Sequence, residues 1–419
     1  MEMHIQRNHY LKQLISGEGN HLIKIITGVR RCGKSYLLFH IFVNYLKEQG
    51  VDENHIIKVD MEDFRNETLR NPHALLAYID GKMQDDDRYY ILLDEVQQVE
   101  HFEAVLNSYL KIDNADVYVT GSNSRFLSTD IVTEFRGRGD EIHLYPLSFS
   151  EYYEGVRGDV MEAWRNYYTY GGLPHILLLD SDQKKIQYLK NLYFTVYKKD
   201  LLERNRISKS AELDELVEIL ASSIGAPCNP AKLSNTFLSL SKSKISPSTI
   251  ATYLSYLEES FLIEKALRYD IKGKKYINSL SKYYFVDMGL RNALLNFRQQ
   301  EESHIMENVI YNELRMRGFS VDVGVVEVKK RDESSTWTRS LLEVDFVANM
   351  GSKRYYIQSA LSMPSTEKVQ QESASLRNVK DGFKKIIVVR DYIKPWYNED
   401  GILMVGLFDF LLKPEVIEY

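Results

Sequence analysis

Residues 26–38 read ITGVRRCGKSYLL, and the fold turns on how this stretch is read. An apolar run, LIKIIT, stops at a glycine, and eight residues later an apolar segment with helical spacing begins. Between them Gly28, Val29, Arg30, Arg31, Cys32, Gly33, Lys34 and Ser35 satisfy the pattern G-x-x-x-x-G-K-[ST] in full. Glycines let consecutive backbone N–H groups turn inward around phosphate, a lysine here reaches the β and γ phosphates, and the hydroxyl can hold Mg2+. LIKIIT reads as a buried parallel strand, and SYLLFHIFVNYLKEQG reads as the following helix, with Gly50 near its end. The helix amino terminus adds a favourable field for an anion. The bland alternative is a glycine turn with an incidental lysine.

A second stretch weakens that alternative. RYYILLDEVQQV is another apolar strand, ending at Asp94 and Glu95. An aspartate at a strand end beside such a loop can hold Mg2+, and the adjacent glutamate can orient and polarise the attacking water. A third strand, ADVYVTGSNSRFL, opens at Thr120 into Gly121, Ser122 and Asn123. Ser122 and Asn123 are the candidates for touching the γ-phosphate or placing water, and Thr120 closes the strand. HIIKVD, ending at Asp60, adds a shorter parallel strand. Beyond these lie Arg136 and Arg138, where a guanidinium could meet γ-phosphate charge in its own or a neighbouring subunit, or be a solvated ion-pair residue. YYTYGGLPHILLL breaks helical sequence at Gly171, Gly172 and Pro174, which suits a hinge or sharp interhelical joint.

The 419 residues, 44% apolar and 27% charged, suit two to four globular domains. A net charge of -6 does not advertise nucleic acid, although a local basic face is compatible with it. Two cysteines, Cys32 and Cys228, are too few for a disulfide scaffold or a cysteine zinc site. The first residues lack a signal-peptide apolar core, and no segment reaches 18 uncharged apolar residues, so the expectation is a cytoplasmic protein with no membrane partner.

With GVRRCGKS, ILLDEVQ, VTGSNS, FRGRGDEIHLYPLSFSEYY and YGGLP in this order, the chain resembles prokaryotic AAA+ superfamily ATPases. Their carboxy-terminal region is an uncharacterised domain related to restriction-endonuclease folds. The resemblance implies ATP and Mg2+ as ligands and favours Arg138 over Arg136 as the nucleotide-sensing arginine. The expected fold class is α/β. A P-loop core occupies 1–150, a helical lid and arm 151–208, a winged-helix-like domain 209–288 and a restriction-endonuclease-like domain 289–419.

In the back half, ISPSTIATYLSYLEE supplies a helix start at Ser246 to Thr249, and FLIEKALRY and KYYFVDMGL suit wing strands. That helix is poor in lysine and arginine, so DNA contacts would fall to Lys242, Lys244 or Lys272 to Lys275. A metal-dependent nuclease centre would use Asp345 with Glu307, followed by an acid and a lysine two apart on the next strand. YYIQSAL puts Gln358 and Ala360 in those places, so the expected domain is catalytically inactive. The reading is therefore an ATP-binding protein and Mg-dependent ATPase. It would move its helical and winged-helix parts with nucleotide state, with DNA, a protein partner or further copies of itself as candidate partners. The alternatives are a nucleotide-gated interaction switch with negligible hydrolysis and, disfavoured by Gln358 and Ala360, a DNA-processing nuclease.

Overall fold

The computed structural model describes residues 5–121, 137–207, 210–240, 244–331 and 337–419. Within them the chain forms two compact units. The first comprises Met1–Leu147 with the short pieces Leu173–His175 and Glu259–Phe261, and the second the remainder. No helix among the described residues is long and apolar enough to cross a membrane.

The first unit is built on strands β1 (Ile23–Thr27), β2 (Ile56–Asp60), β3 (Tyr89–Asp94), β4 (Ala115–Thr120) and β5 (Gly139–His143). They form one sheet in the order β2-β3-β4-β1-β5, every pairing parallel. β1 and β3 are buried along their whole length. That follows from near-continuous apolar runs, which suit a parallel sheet covered on both faces. Ile25, Ile57, Val59, Ile91, Leu93, Val117 and Val119 meet Val105 and Leu106 of helix Phe102–Tyr109 in one core. Each such side chain contributes about 1.5–3 kcal/mol on burial. Four of the strands were legible as apolar runs, whereas β5, with the sequence GDEIH, carries no such signal.

Because all five strands are parallel, their carboxyl ends share one edge. Thr27, Asp60, Asp94 and Thr120 end their strands there, and the loop Gly28–Gly33 leaves from it. The helical run after the loop is continuous through Lys34–Tyr36, a π-helical turn Leu37–Phe42 and Val43–Glu48.

The second unit opens with helix Phe149–Val156, started by a capping box in which Ser148 Oγ accepts from Glu151 N–H and the Glu151 carboxylate accepts from Ser148 N–H. Helix Val160–Tyr170 stops at Gly171, whose φ of 78° is in the left-handed region. A Cβ there would lie 2.3 Å from Asp287 Oδ1. Asp287 accepts from Gly172 N–H at 2.8 Å and from Leu290 N–H at 2.9 Å, capping helix Met288–Leu294. Asn292 donates to the carbonyls of Tyr168 and Thr169 at 2.8 and 2.9 Å. The expected break at YGGLP is thus a packed joint on the Gly171 side, with orphan helix-end groups satisfied by side chains.

Helices Ser210–Ser222, Pro230–Leu240 and Pro247–Glu259 precede an antiparallel pair, β6 (Ile263–Asp270) and β7 (Lys275–Phe285). These strands do not end in an isolated wing. β6 pairs in parallel with β8 (Ser320–Arg331), and β8 pairs antiparallel with β9 (Trp337–Met350), which continues to β10 (Lys353–Ala360). After helix Thr366–Arg377, β11 (Lys384–Val389) returns parallel to β10. β12 (Trp396–Tyr397) and β13 (Leu403–Gly406) complete an eight-stranded sheet, β12-β13-β11-β10-β9-β8-β6-β7. Helix Glu302–Met316 supplies Ile305, Met306, Val309 and Ile310 to the buried interior.

Candidate functional site: the carboxyl edge of the parallel sheet

The loop after β1 has the backbone its glycines allow. Gly28 has φ 138° and Gly33 φ 100°, with Arg31 also left-handed at 66°. A Cβ on Gly28 would lie 2.0 Å from the Leu144 carbonyl oxygen, so only glycine fits. Val29 and Cys32 turn inward and are buried, Arg31 is exposed, and Arg30 lies 4.0 Å from Glu62. Burial pushes the Cys32 thiol up, which keeps it neutral despite nearby Lys34.

Lys34 is the first test of whether the loop suits an anion. It is 5% exposed, and its ammonium donates to the carbonyls of Gly28 at 3.1 Å and Val29 at 3.3 Å. Among the described residues it has no carboxylate partner. A buried cation held only by two neutral carbonyls is under-compensated, and an incoming phosphate would correct that.

The acidic half sits beside it. Asp94 is buried, and its two oxygens are taken by different hydroxyls: Ser35 Oγ donates to Oδ2 at 2.7 Å, and Thr120 Oγ1 donates to Oδ1 at 2.5 Å. Burial pushes the Asp94 carboxyl up to about 6, opposed by those two hydrogen bonds. Ser35 and Asp94, the two residues expected to hold Mg2+, therefore touch. The hydroxyl proton supplies the positive end that a cation would supply, and the donor set of one hydroxyl and one carboxylate suits a hard, oxygen-seeking ion.

Glu95 follows in a left-handed conformation, φ 49° and ψ 48°. Its N–H donates to Thr120 Oγ1 at 2.9 Å, and Gln97 Nε2 donates to its carboxylate. Thr120 and Gln97 are contacts that sequence reasoning missed. In sequence Thr120 only closes its strand, and it is the pairing of β3 with β4 in register, Leu93 opposite Val119, that brings its hydroxyl to Asp94.

The other expected residues divide. Ser122, Asn123 and Arg136 lie outside the described residues. Arg138 does not reach this site within one chain. β5 runs parallel to β1 with Gly139 opposite Ile23, and Ile23 N–H donates to the Arg138 carbonyl at 3.0 Å. Arg138 is thus at the amino edge of the sheet, five residues before His143 and roughly 16 Å from the carboxyl edge at about 3.3 Å per residue, with its side chain exposed.

A second polar centre lies in the carboxy-terminal sheet. Glu307 from helix Glu302–Met316 and Glu343 from β9 both meet Lys282 of β7, at 2.8 Å each, and Tyr284 donates to Glu307 at 2.7 Å. Asp345 accepts from Ser359 N–H at 2.8 Å, and burial with Glu307 nearby pushes its carboxyl up to about 8. Gln358 accepts from Ser375 at 3.3 Å, and Ala360 is buried. Asp345 and Glu307 are brought together as expected. Lys282, far from both in sequence, was not anticipated.

Comparison with known proteins agrees with the core. Residues 20–153 match the family described as AAA domain, and residues 161–301 match a domain of unknown function (DUF8612). An uncharacterised Haemophilus influenzae protein is 33% identical over 98% of this chain and 99% of its own length. The uncharacterised Methanocaldococcus jannaschii protein MJ1544 is 28% identical over 86% of this chain and 79% of its own. Among solved structures, the Aeropyrum pernix Orc1 protein in complex with DNA covers 69% of this chain and 92% of its own at 11% identity. Its TM-score of 0.32 is too low to bear on function or partner. The near full-length match places this chain, with its AAA domain over residues 20–153, in the family of the Haemophilus influenzae protein.

Proposed function

We propose that the protein is a Mg-dependent ATPase. The observation that carries this reading is the buried Lys34 ammonium, whose partners among the described residues are two carbonyls, one residue from a Ser35–Asp94 hydrogen bond. The loop Gly28–Ser35 would cradle the phosphates with its N–H groups, and Lys34 would exchange its carbonyls for phosphate oxygens. Ser35 and Asp94 would hold Mg2+, which when bound neutralises phosphate charge and orients the chain of phosphates. Glu95 would take the proton of the attacking water. Ser122 and Asn123 keep their proposed place near the γ-phosphate.

The proposal extends to the rest of the chain. Nucleotide state would move the helical lid (151–208) and winged-helix part (209–288) relative to the core (1–150). The region 289–419 would serve as a binding module of restriction-endonuclease-like fold. That fold is supported by the order helix Glu302–Met316, antiparallel β8-β9-β10, helix Thr366–Arg377 and parallel β11. Its lack of cleavage is supported by Gln358 and Ala360, and by Lys282 lying among the carboxylates.

The test is steady-state ATP hydrolysis by wild type, Glu95→Gln and Lys34→Ala, with binding of a fluorescent ATP analogue measured in parallel, with and without duplex DNA. Glu95→Gln is expected to bind nucleotide as wild type does and to lose about 100- to 10,000-fold in kcat. Lys34→Ala is expected to lose binding. Stimulation by DNA would add nucleic acid as a partner. Wild type that binds ATP without turnover in every condition overturns the ATPase reading in favour of a nucleotide-gated switch.

A further inference from the structure

We propose that Thr120 and Gln97 are positioning residues that clamp Glu95 from two sides, the Thr120 hydroxyl accepting the Glu95 backbone N–H and the Gln97 amide donating to the Glu95 carboxylate. The inference rests on the ATPase reading for its functional meaning, but the clamp itself is a geometric statement.

β3 ends at Asp94, and the chain turns at once through Glu95 into the short helical turn Val96–Gln98. Glu95 makes that turn in the left-handed region, which an L-residue with a Cβ adopts only when its surroundings impose it. The reversal takes the Glu95 N–H out of the strand ladder and leaves it buried, where an unpaired donor is unfavourable. Thr120 Oγ1 accepts that N–H at 2.9 Å and gives its own proton to Asp94 Oδ1 at 2.5 Å. One hydroxyl thus ties the last residue of β4 to the two acidic residues at the end of β3. Thr120 is fully buried, so it acts through these residues and not on nucleotide. Valine has the same shape without the hydroxyl, and serine keeps the hydroxyl without the methyl.

Gln97, two residues on, turns its amide back so that Nε2 donates to Glu95 Oε2. The donor is neutral, so it restricts where the carboxylate points without adding a cation that would compete for a substrate water. With the backbone fixed by Thr120 and one oxygen fixed by Gln97, Glu95 is pre-aimed. Preorganisation of this kind raises kcat with little effect on ground-state binding.

The experiment compares wild type, Thr120→Val, Thr120→Ser and Gln97→Leu in full-length protein. It reads kcat and KM for ATP, the affinity for a fluorescent ATP analogue, and amide hydrogen exchange at Glu95. Thr120→Val is expected to lose about 10- to 100-fold in kcat at saturating Mg2+, where a weakened Asp94 contact does not limit binding and KM changes less than about threefold. Thr120→Ser is expected within about threefold of wild type, and Gln97→Leu to fall about tenfold in kcat. Glu95 amide exchange should accelerate in Thr120→Val and stay protected in Thr120→Ser. Thr120→Val with wild-type kcat, or Thr120→Ser as impaired as Thr120→Val, overturns the role of the hydroxyl. Wild-type kcat in Gln97→Leu overturns the role of the amide. If wild type proves to have no ATPase activity, the ATPase reading fails on its own, and the exchange data still decide the clamp: unchanged Glu95 protection in Thr120→Val refutes it.

Discussion

Lys282→Met removes the cation at the centre of the carboxy-terminal sheet while keeping a chain of similar length. In the native fold the ammonium is 3% exposed and bridges Glu307, 13% exposed, and Glu343, 31% exposed. Desolvation by burial disfavours its charge, but Glu307, Asp345 and Glu343 overcome that penalty and hold its pKa above the usual lysine range. The Glu343 arm faces solvent and is worth less, about 0–1 kcal/mol by analogy with surface pairs. In the Glu307 arm the ammonium is buried and the carboxylate partly so, and removing one partner of such a pair costs about 3–5 kcal/mol because the other charge is left uncompensated. For a unit of this size that corresponds to a fall of roughly 10 °C in Tm. Urea unfolding measures the loss, and Lys282→Met with Glu307→Gln should recover part of it. A variant within about 1 kcal/mol of wild type refutes the assignment of Lys282 as the compensating charge.

Further consequences can be checked in the same way. Asp345, with its carboxyl pushed up to about 8, contributes stability that is full below the unfolded value of about 3.9 and is lost as pH rises through about 8. Asp345→Asn should flatten that dependence and be relatively more stable than wild type at pH 8 than at pH 5, read from Tm across pH; an unchanged slope excludes the burial argument. Gly171→Ala places a Cβ 2.3 Å from Asp287 Oδ1 at a φ of 78°, and should cost about 2–4 kcal/mol through strain and a disturbed cap on helix Met288–Leu294. Thermal unfolding of that variant within about 0.5 kcal/mol of wild type would show that the joint relaxes freely. Gly28→Ala meets the Leu144 carbonyl at 2.0 Å, so it should lose binding of a fluorescent ATP analogue, measured by titration.

What the sequence determined by itself is local. Four parallel strands are visible as apolar runs because both faces of the sheet are covered, and the loop Gly28–Ser35 is visible because phosphate loops need glycines at positions that only a left-handed backbone fills. Asp94 and Glu95 are visible because they end such a run. The tertiary structure decided everything that depends on strand order and register. The in-register pairing of β3 with β4 gives the Thr120 hydroxyl to Asp94 and Glu95, and the direction of β5 puts Arg138 at the opposite edge of the sheet from the loop. The pairing of β6 with β8 joins the supposed wing strands to the carboxy-terminal sheet, and the Lys282 ammonium meets carboxylates from a helix and a strand that follow it in the chain. None of these contacts has a signature in its own neighbourhood. A hydrogen bond or ion pair between residues distant in sequence exists only after hydrophobic burial has chosen which strands lie side by side, and that choice belongs to the whole core.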